Sequence, residues 1–391
     1  MREKTAQSAL VATARRIGSE VVAKHADASD RDATFPTESL AAMRQAKLMS
    51  CYVPVSLGGP GCSMSELAAV SEVLAEYCMS SAMVFAMHQI QVAMLVHHAL
   101  DAPYMTRDLR EVVEKPNLIA SLTPEVGGGG EMRKSICAVE THGNGFSFVK
   151  ETTTMSYGAQ ADDYLASARR NPDAASNDQV MVLIHRRDAT YEQKGSWDTL
   201  GLRGTCSPPA SLKATGSLEQ LMAVPFADSA ALTMVPVSHI LWASCWLGLA
   251  KSALGRAHAV VRQAARAKPG TVPSSAPRLA EANALLQSMR AHIHDALEEY
   301  EALRASPDGG AAELSSMRYA VRINNLKLSC SKMLWEVVHQ AFAICGIQGF
   351  RNDSKYALGR HIRDALAAGV MIGNDRIAGT NAAMLLVLKE D

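Results

Sequence analysis

The sequence predicts a mixed α+β chain whose parts follow one another in series: a helical N-terminal domain over residues 1–118, a central β domain over 119–232 and a C-terminal helical domain over 233–391. Three observations carry this. Up to about Leu118 apolar residues recur at spacings of three and four. From Ile119 they fall into short β-type runs broken by Gly, Pro and Asn-Asp, and after Val237 long helical patterns return. Helices, then strands, then helices make separate layers, whereas a doubly wound sheet would alternate strand and helix. At 391 residues the chain also exceeds what one hydrophobic core usually spans.

Within the first domain, Phe35-Pro36-Thr37 and Leu57-Gly58-Gly59-Pro60-Gly61 separate helices. Ser63 with Glu66 is a capping-box pair opening a helix to about Tyr77. A second helix, near Ala82 to Leu100, is apolar almost all round and suits a core or the wall of a cofactor site. The β domain contains runs such as Phe146-Ser147-Phe148-Val149 and Val180-Met181-Val182-Leu183-Ile184. The last domain reads as four helices: His239 to Ala267, Ala276 to Ala305, Leu314 to Cys345, and from about Asp353 to the end. Lys268-Pro269-Gly270 and Ser306-Pro307-Asp308-Gly309-Gly310 break them apart.

Lys plus Arg equals Asp plus Glu at 39 each, and no long run of one sign suits nucleic acid or an anionic membrane. Nineteen Met with 5% aromatic residues lean toward aliphatic helix packing. The eight cysteines are dispersed, with no Cys-x-x-Cys pair and no metal-ligand spacing with His, so reduced thiols and no metal site are expected. Met1 to Lys24 is a charged amphipathic pattern without the apolar core of a signal peptide, and no eighteen uncharged apolar residues run together. A cytoplasmic protein without a membrane span is the expectation.

Four motifs then carry a resemblance. They are Tyr52-Val53-Pro54-Val55-Ser56-Leu57-Gly58-Gly59-Pro60-Gly61; Ala120-Ser121-Leu122-Thr123-Pro124-Glu125-Val126-Gly127-Gly128-Gly129-Gly130; the pair Thr154-Met155-Ser156-Tyr157-Gly158 and Trp197-x-x-Leu200-Gly201-Leu202-Arg203-Gly204-Thr205-Cys206-Ser207; and Cys345-Gly346-Ile347-Gln348-Gly349-Phe350 followed by Arg363-Asp364. Taken alone the first is any Gly-rich connector, and the second any surface hairpin. Together, in this order, they resemble the acyl-CoA dehydrogenase family over essentially the whole chain. That resemblance implies a barrel-like central β domain, a C-terminal four-helix bundle and an FAD cofactor. It implies that Leu122, Thr123, Gly128, Gly129, Thr154 and Ser156 border the flavin. Gly346 and Gly349 would admit the FAD of a neighbouring subunit, so a homodimer or homotetramer is implied. Arg262 and Arg266 lie beside the position of the family's pyrophosphate arginine, and Asn374 stands where a threonine would contact the flavin.

The departures are as informative. Counting eight residues past Asp364 reaches Ile372, where the family carries the glutamate that removes the α-proton of an acyl thioester; isoleucine has no atom that accepts a proton. Ser238 fills the alternative base position. His239, beside it, is a candidate base or a donor to a thioester carbonyl, against the alternative of a helix-start histidine satisfied by local backbone. Asp375 is the nearest carboxylate, with an ion pair to Arg376 or Arg363 as the competing role. These changes favour an FAD-dependent oxidoreductase acting on an acyl-CoA or carrier-protein thioester with O2 as co-reactant. The alternatives are an ordinary dehydrogenase with a relocated base and an electron-transfer partner, and a two-component flavin monooxygenase of a non-thioester substrate.

Overall fold

The computed structural model describes residues 8–128 and 131–389. Its N-terminal part comprises α1 (Ala9–Ile17), α2 (Ala23–Asp32), α3 (Thr37–Gln45), α4 (Met64–Tyr77), α5 (Met79–His98) and α6 (Pro103–Glu114). The capping box forms as the sequence requires: the Ser63 hydroxyl accepts from the Glu66 amide, and the Glu66 carboxylate accepts from the Ser63 amide. Helix α5 begins three residues earlier than its apolar pattern suggests and is buried through nearly its whole length. It packs against the central sheet on one side and the C-terminal helices on the other, which explains why it has no polar face. By length and composition α5 and the helical stretch Phe226–Ala267 could cross a membrane, but most of each lies buried within the fold.

The central part holds β1 (Ile119–Leu122), β2 (Glu140–His142), β3 (Gly145–Thr152), β4 (Asp163–Arg169), β5 (Gln179–His185), β6 (Ala189–Gln193) and β7 (Ala210–Ser217). The barrel-like expectation is corrected here. Among the described residues the strands form two open sheets, β1-β4-β5 and β2-β3-β7-β6. Only isolated bridges, Ala138 to Arg169 and Val182 to Leu221, add pairing outside these strands. The burial patterns give the reason. Strands β4 and β5 are buried at almost every residue, as strands covered on both faces are. Strand β3 instead has a buried face and a largely exposed one. Two sheets with such different surroundings have no common ladder to close.

The C-terminal part is α7 (Val235–Ala267), α8 (Ala276–Arg304), α9 (Met317–Cys345), α10 (Gly359–Val370) and α11 (Asn374–Leu385). Helices α7, α8 and α9 pack on one another, with α10 and α11 laid against α9. Two expectations shift. The pattern from Leu314 is interrupted, and α9 starts at Met317 because the Ser316 hydroxyl caps the Tyr319 amide. The final pattern is two helices, with the chain turning at Met371 and Ile372, whose φ is +48°.

The Gly-Leu-Arg-Gly-Thr motif welds the domains together. A Cβ on Gly201 would stand 2.1 Å from the Arg363 carbonyl oxygen, while the Leu202 amide donates to Asp364 Oδ1 at 2.8 Å. Burial pushes the Asp364 carboxyl up to about 6, against the lowering effect of that hydrogen bond. Both clashing groups near Gly201 are backbone, so no rotamer relieves the contact. Gly201→Ala is expected to destabilise by roughly 3 kcal/mol, the upper range for overpacking, read as a lowered denaturant midpoint. An unchanged midpoint would show that α10 docks without this contact.

Candidate active site

Helix α9 gathers the C-terminal candidates. His239 on α7 is 3% exposed, its Nδ1 lies 3.1 Å from the Ile323 carbonyl, and its ring is 5.9 Å from Trp242. A carbonyl only accepts, so Nδ1 carries the proton and Nε2 presents a lone pair. In this tautomer Nε2 is an acceptor. Burial lowers its pKa to about 4, with the backbone contact raising it and Lys327 lowering it. It is therefore a neutral and weak base.

Ile372 and Asn374 stand together at the turn between α10 and α11. Lys327 Nζ donates to the Ile372 carbonyl at 3.0 Å and to Asn374 Oδ1 at 2.6 Å. Asn374 Nδ2 also donates to Ser331 Oγ at 3.1 Å. Asp375 is exposed in the first turn of α11, where a carboxylate favours the helix N-terminus. The turn thus brings Ile372 and Asn374 into one hydrogen-bonded unit while Asp375 faces solvent.

The central candidates form a second group. Leu122 is fully buried, and Thr123, Thr154 and Ser156 are half-buried. Thr123 Oγ1 is 3.0 Å from Ser121 Oγ. Thr205, Ser207 and Ser156 make a hydroxyl chain, with Ser207 donating to Ser156 at 2.8 Å. That leaves the Ser156 proton for an acceptor outside the chain, as an isoalloxazine edge would be. Gly128 is half-buried, and Gly129 lies outside the described residues. The half-buried hydroxyls therefore fit a flavin at this face of the β domain.

Arg262 and Arg266 are exposed on the solvent side of α7. Gly346 has φ +54° and open space where a Cβ would point, as a close approach from outside requires. Gly349 is buried, a Cβ there would meet Cys345 at 2.8 Å, and its carbonyl accepts from Leu358 at 2.8 Å. These contacts lie within its own subunit.

Three features were missed from the sequence. Lys327 is completely buried beside the Ile372 turn; its spacing of four from both Ile323 and Ser331 is the signal that could have found it. Glu125, next to the glycine run, turns inward: it accepts from Ser135 Oγ at 2.9 Å and the Ile136 amide at 3.0 Å, and lies 3.7 Å from buried Lys150. A cavity of about 570 Å³ is lined by Arg133 from the central domain and by Met317, Arg376, Thr380, Met384 and Val387 from α9 and α11 or just beyond it.

A β domain flanked by two helical domains is shared with flavin-dependent oxidoreductases, and the chain's relatives place it in that class. The chain belongs to the acyl-CoA dehydrogenase family: residues 4–102 match its N-terminal domain and 229–386 its C-terminal domain. It is 22% identical over 376 residues to the probable acyl-CoA dehydrogenase fadE25 of Mycobacterium leprae (strain TN), covering 94% of this chain and 92% of that one. A shorter match, 36% identical over 76 residues, is to the 3-sulfinopropanoyl-CoA desulfinase of Paraburkholderia xenovorans (strain LB400). It spans 19% of this chain and 20% of that protein. FMN-bound TdsC from Paenibacillus sp. A11-2 has the same fold, with TM-score 0.81 at 17% identity over 97% of both chains.

Proposed function

We propose that the protein is an FAD-dependent oxidoreductase that acts on an acyl thioester, bound to CoA or a carrier protein, and that it uses reduced flavin with O2 instead of α-proton abstraction. The observation that carries this reading is the turn at Ile372. It presents an isoleucine at the position of the family's base, Asp375 faces solvent, and the titratable group that touches the turn is the buried Lys327, with the neutral His239 held at Ile323 on the same helix. A buried carboxylate within hydrogen-bond reach of the substrate is what dehydrogenation would need. TdsC, a dibenzothiophene monooxygenase, gives the same fold an oxygenase precedent.

When bound, the flavin supplies the redox chemistry, accepting a hydride or activating oxygen. This chain's residues would hold it by the hydroxyls of Thr123 and Ser156 and by Asn374. The cavity beside the turn carries Arg133 and Arg376, a pair of cations suited to the phosphates of a thioester carrier. The exposed Gly346 is consistent with a flavin shared between copies in a homodimer or homotetramer, and the free cysteines suit a reducing cytoplasm.

The ordinary dehydrogenase is the second reading, because His239 Nε2 is an available lone pair. The two are separated by mixing the flavin-loaded protein anaerobically with acyl-CoAs of different chain length. The proposal expects the flavin to stay oxidised, with O2 consumed only when reduced flavin is supplied. Bleaching by an acyl-CoA would establish dehydrogenation instead, and a protein that binds no flavin would remove both readings.

A further inference from the structure

Ile323, Lys327 and Ser331 lie four residues apart along α9, so they stand above one another on one face. Each holds a different part of the site. Ile323 accepts from His239, Lys327 donates to Ile372 and Asn374, and Ser331 accepts from Asn374. The turn they hold is unfavourable on its own, since a β-branched residue at φ +48° is a backbone outlier. Lys327 is 0% exposed and makes no ion pair with a carboxylate among the described residues; its Nζ stands 6.0 Å from the Trp246 ring. The charged and titratable groups facing it are His239 on α7 and Arg376 on α11.

We propose that Lys327 is the positioning residue of this site: its ammonium clamps the 372–374 turn, and so fixes where Asn374 meets the flavin and where Ile372 borders the substrate. That the turn faces flavin and substrate rests on the proposed function, whereas the clamp itself does not. Burial lowers the Lys327 pKa to about 8, and Arg376 lowers it further in the same direction. The clamp is therefore charged at neutral pH and loses its charge as pH rises through about 8. A charged donor makes hydrogen bonds roughly twice as strong as a neutral one, so the clamp weakens over that window.

Lys327→Met in the full chain tests this by hydrogen exchange at the amides of residues 371–377, with the middle of α8 as internal control. The turn amides are expected to exchange roughly tenfold faster in the variant, the loss of a charged hydrogen bond, while α8 is unchanged. Ser331→Ala, which removes the weaker anchor, should give a smaller rise. FAD titrated into flavin-stripped wild type should bind more weakly as pH rises from 7 to 9, and Lys327→Met should show no such break. Unchanged exchange in a folded Lys327→Met overturns the clamp, and coincident FAD profiles overturn its positioning of Asn374. Should the variant not fold, the wild-type exchange series decides: no loosening of the turn above pH 8, after correction for intrinsic exchange, overturns the proposal. Absence of FAD binding in wild type would refute the cofactor reading, and the exchange result would still rule on the clamp.

Discussion

Ile372→Glu is expected to create a flavin-reducing activity toward simple acyl-CoAs that the natural protein lacks. The backbone is prepared for the change. Ile372 already holds φ +48°, and an unbranched Glu enters that region with less steric cost than a β-branched residue. The contact from Lys327 is to the Ile372 carbonyl, so replacing the side chain leaves the turn anchored. A positioned general base typically contributes 10²–10⁴-fold, and a gain of about that size in the anaerobic bleaching rate with butyryl-CoA is the expected result. A folded, flavin-loaded Ile372→Glu that shows no bleaching would place Ile372 away from the reacting carbon and count against the thioester reading.

Glu125→Ala is expected to cause the largest loss of stability, roughly 3–5 kcal/mol, the cost of stranding the other half of a buried ion pair. Glu125 is 9% exposed and Lys150 is fully buried. Removing the carboxylate leaves Lys150 with only the Ser167 carbonyl and hydroxyl, and frees the amides of Ile136 and Cys137. Those amides anchor the far end of the loop that carries Gly128, so flavin affinity should fall together with thermal stability. The double variant Glu125→Gln, Lys150→Met should recover much of the loss, because replacing both partners by neutral side chains leaves no stranded charge. A double variant as unstable as Glu125→Ala would show that the amide contacts, and not the charge pair, dominate.

Several features were legible in the chain because they depend on neighbours in sequence. The Ser63 and Glu66 box acts over three residues, and the all-round apolar character of α5 reports its burial directly. The Gly-Leu-Arg-Gly-Thr motif was visible, but its purpose was not: the partner of Gly201 lies more than 160 residues away, at Arg363 and Asp364. The tight packing of Gly349 was hidden for a related reason, since a glycine required by close contact looks the same in sequence as one that admits a ligand.

The order of domains and the family follow from residue types and short spacings, which local sterics and periodicity make readable. Whether the strands close, and what holds the altered turn, follow from contacts between distant segments. The open sheets arise because β4 and β5 are covered on both faces while β3 keeps an exposed side. Lys327 gains its role only because α9 lies beneath both His239 and the 372–374 turn, 84 and 45 residues away along the chain through its contacts at Ile323 and Ile372. No pattern within one segment encodes such a meeting; burial of a lysine without a carboxylate partner exists only once the helices have packed.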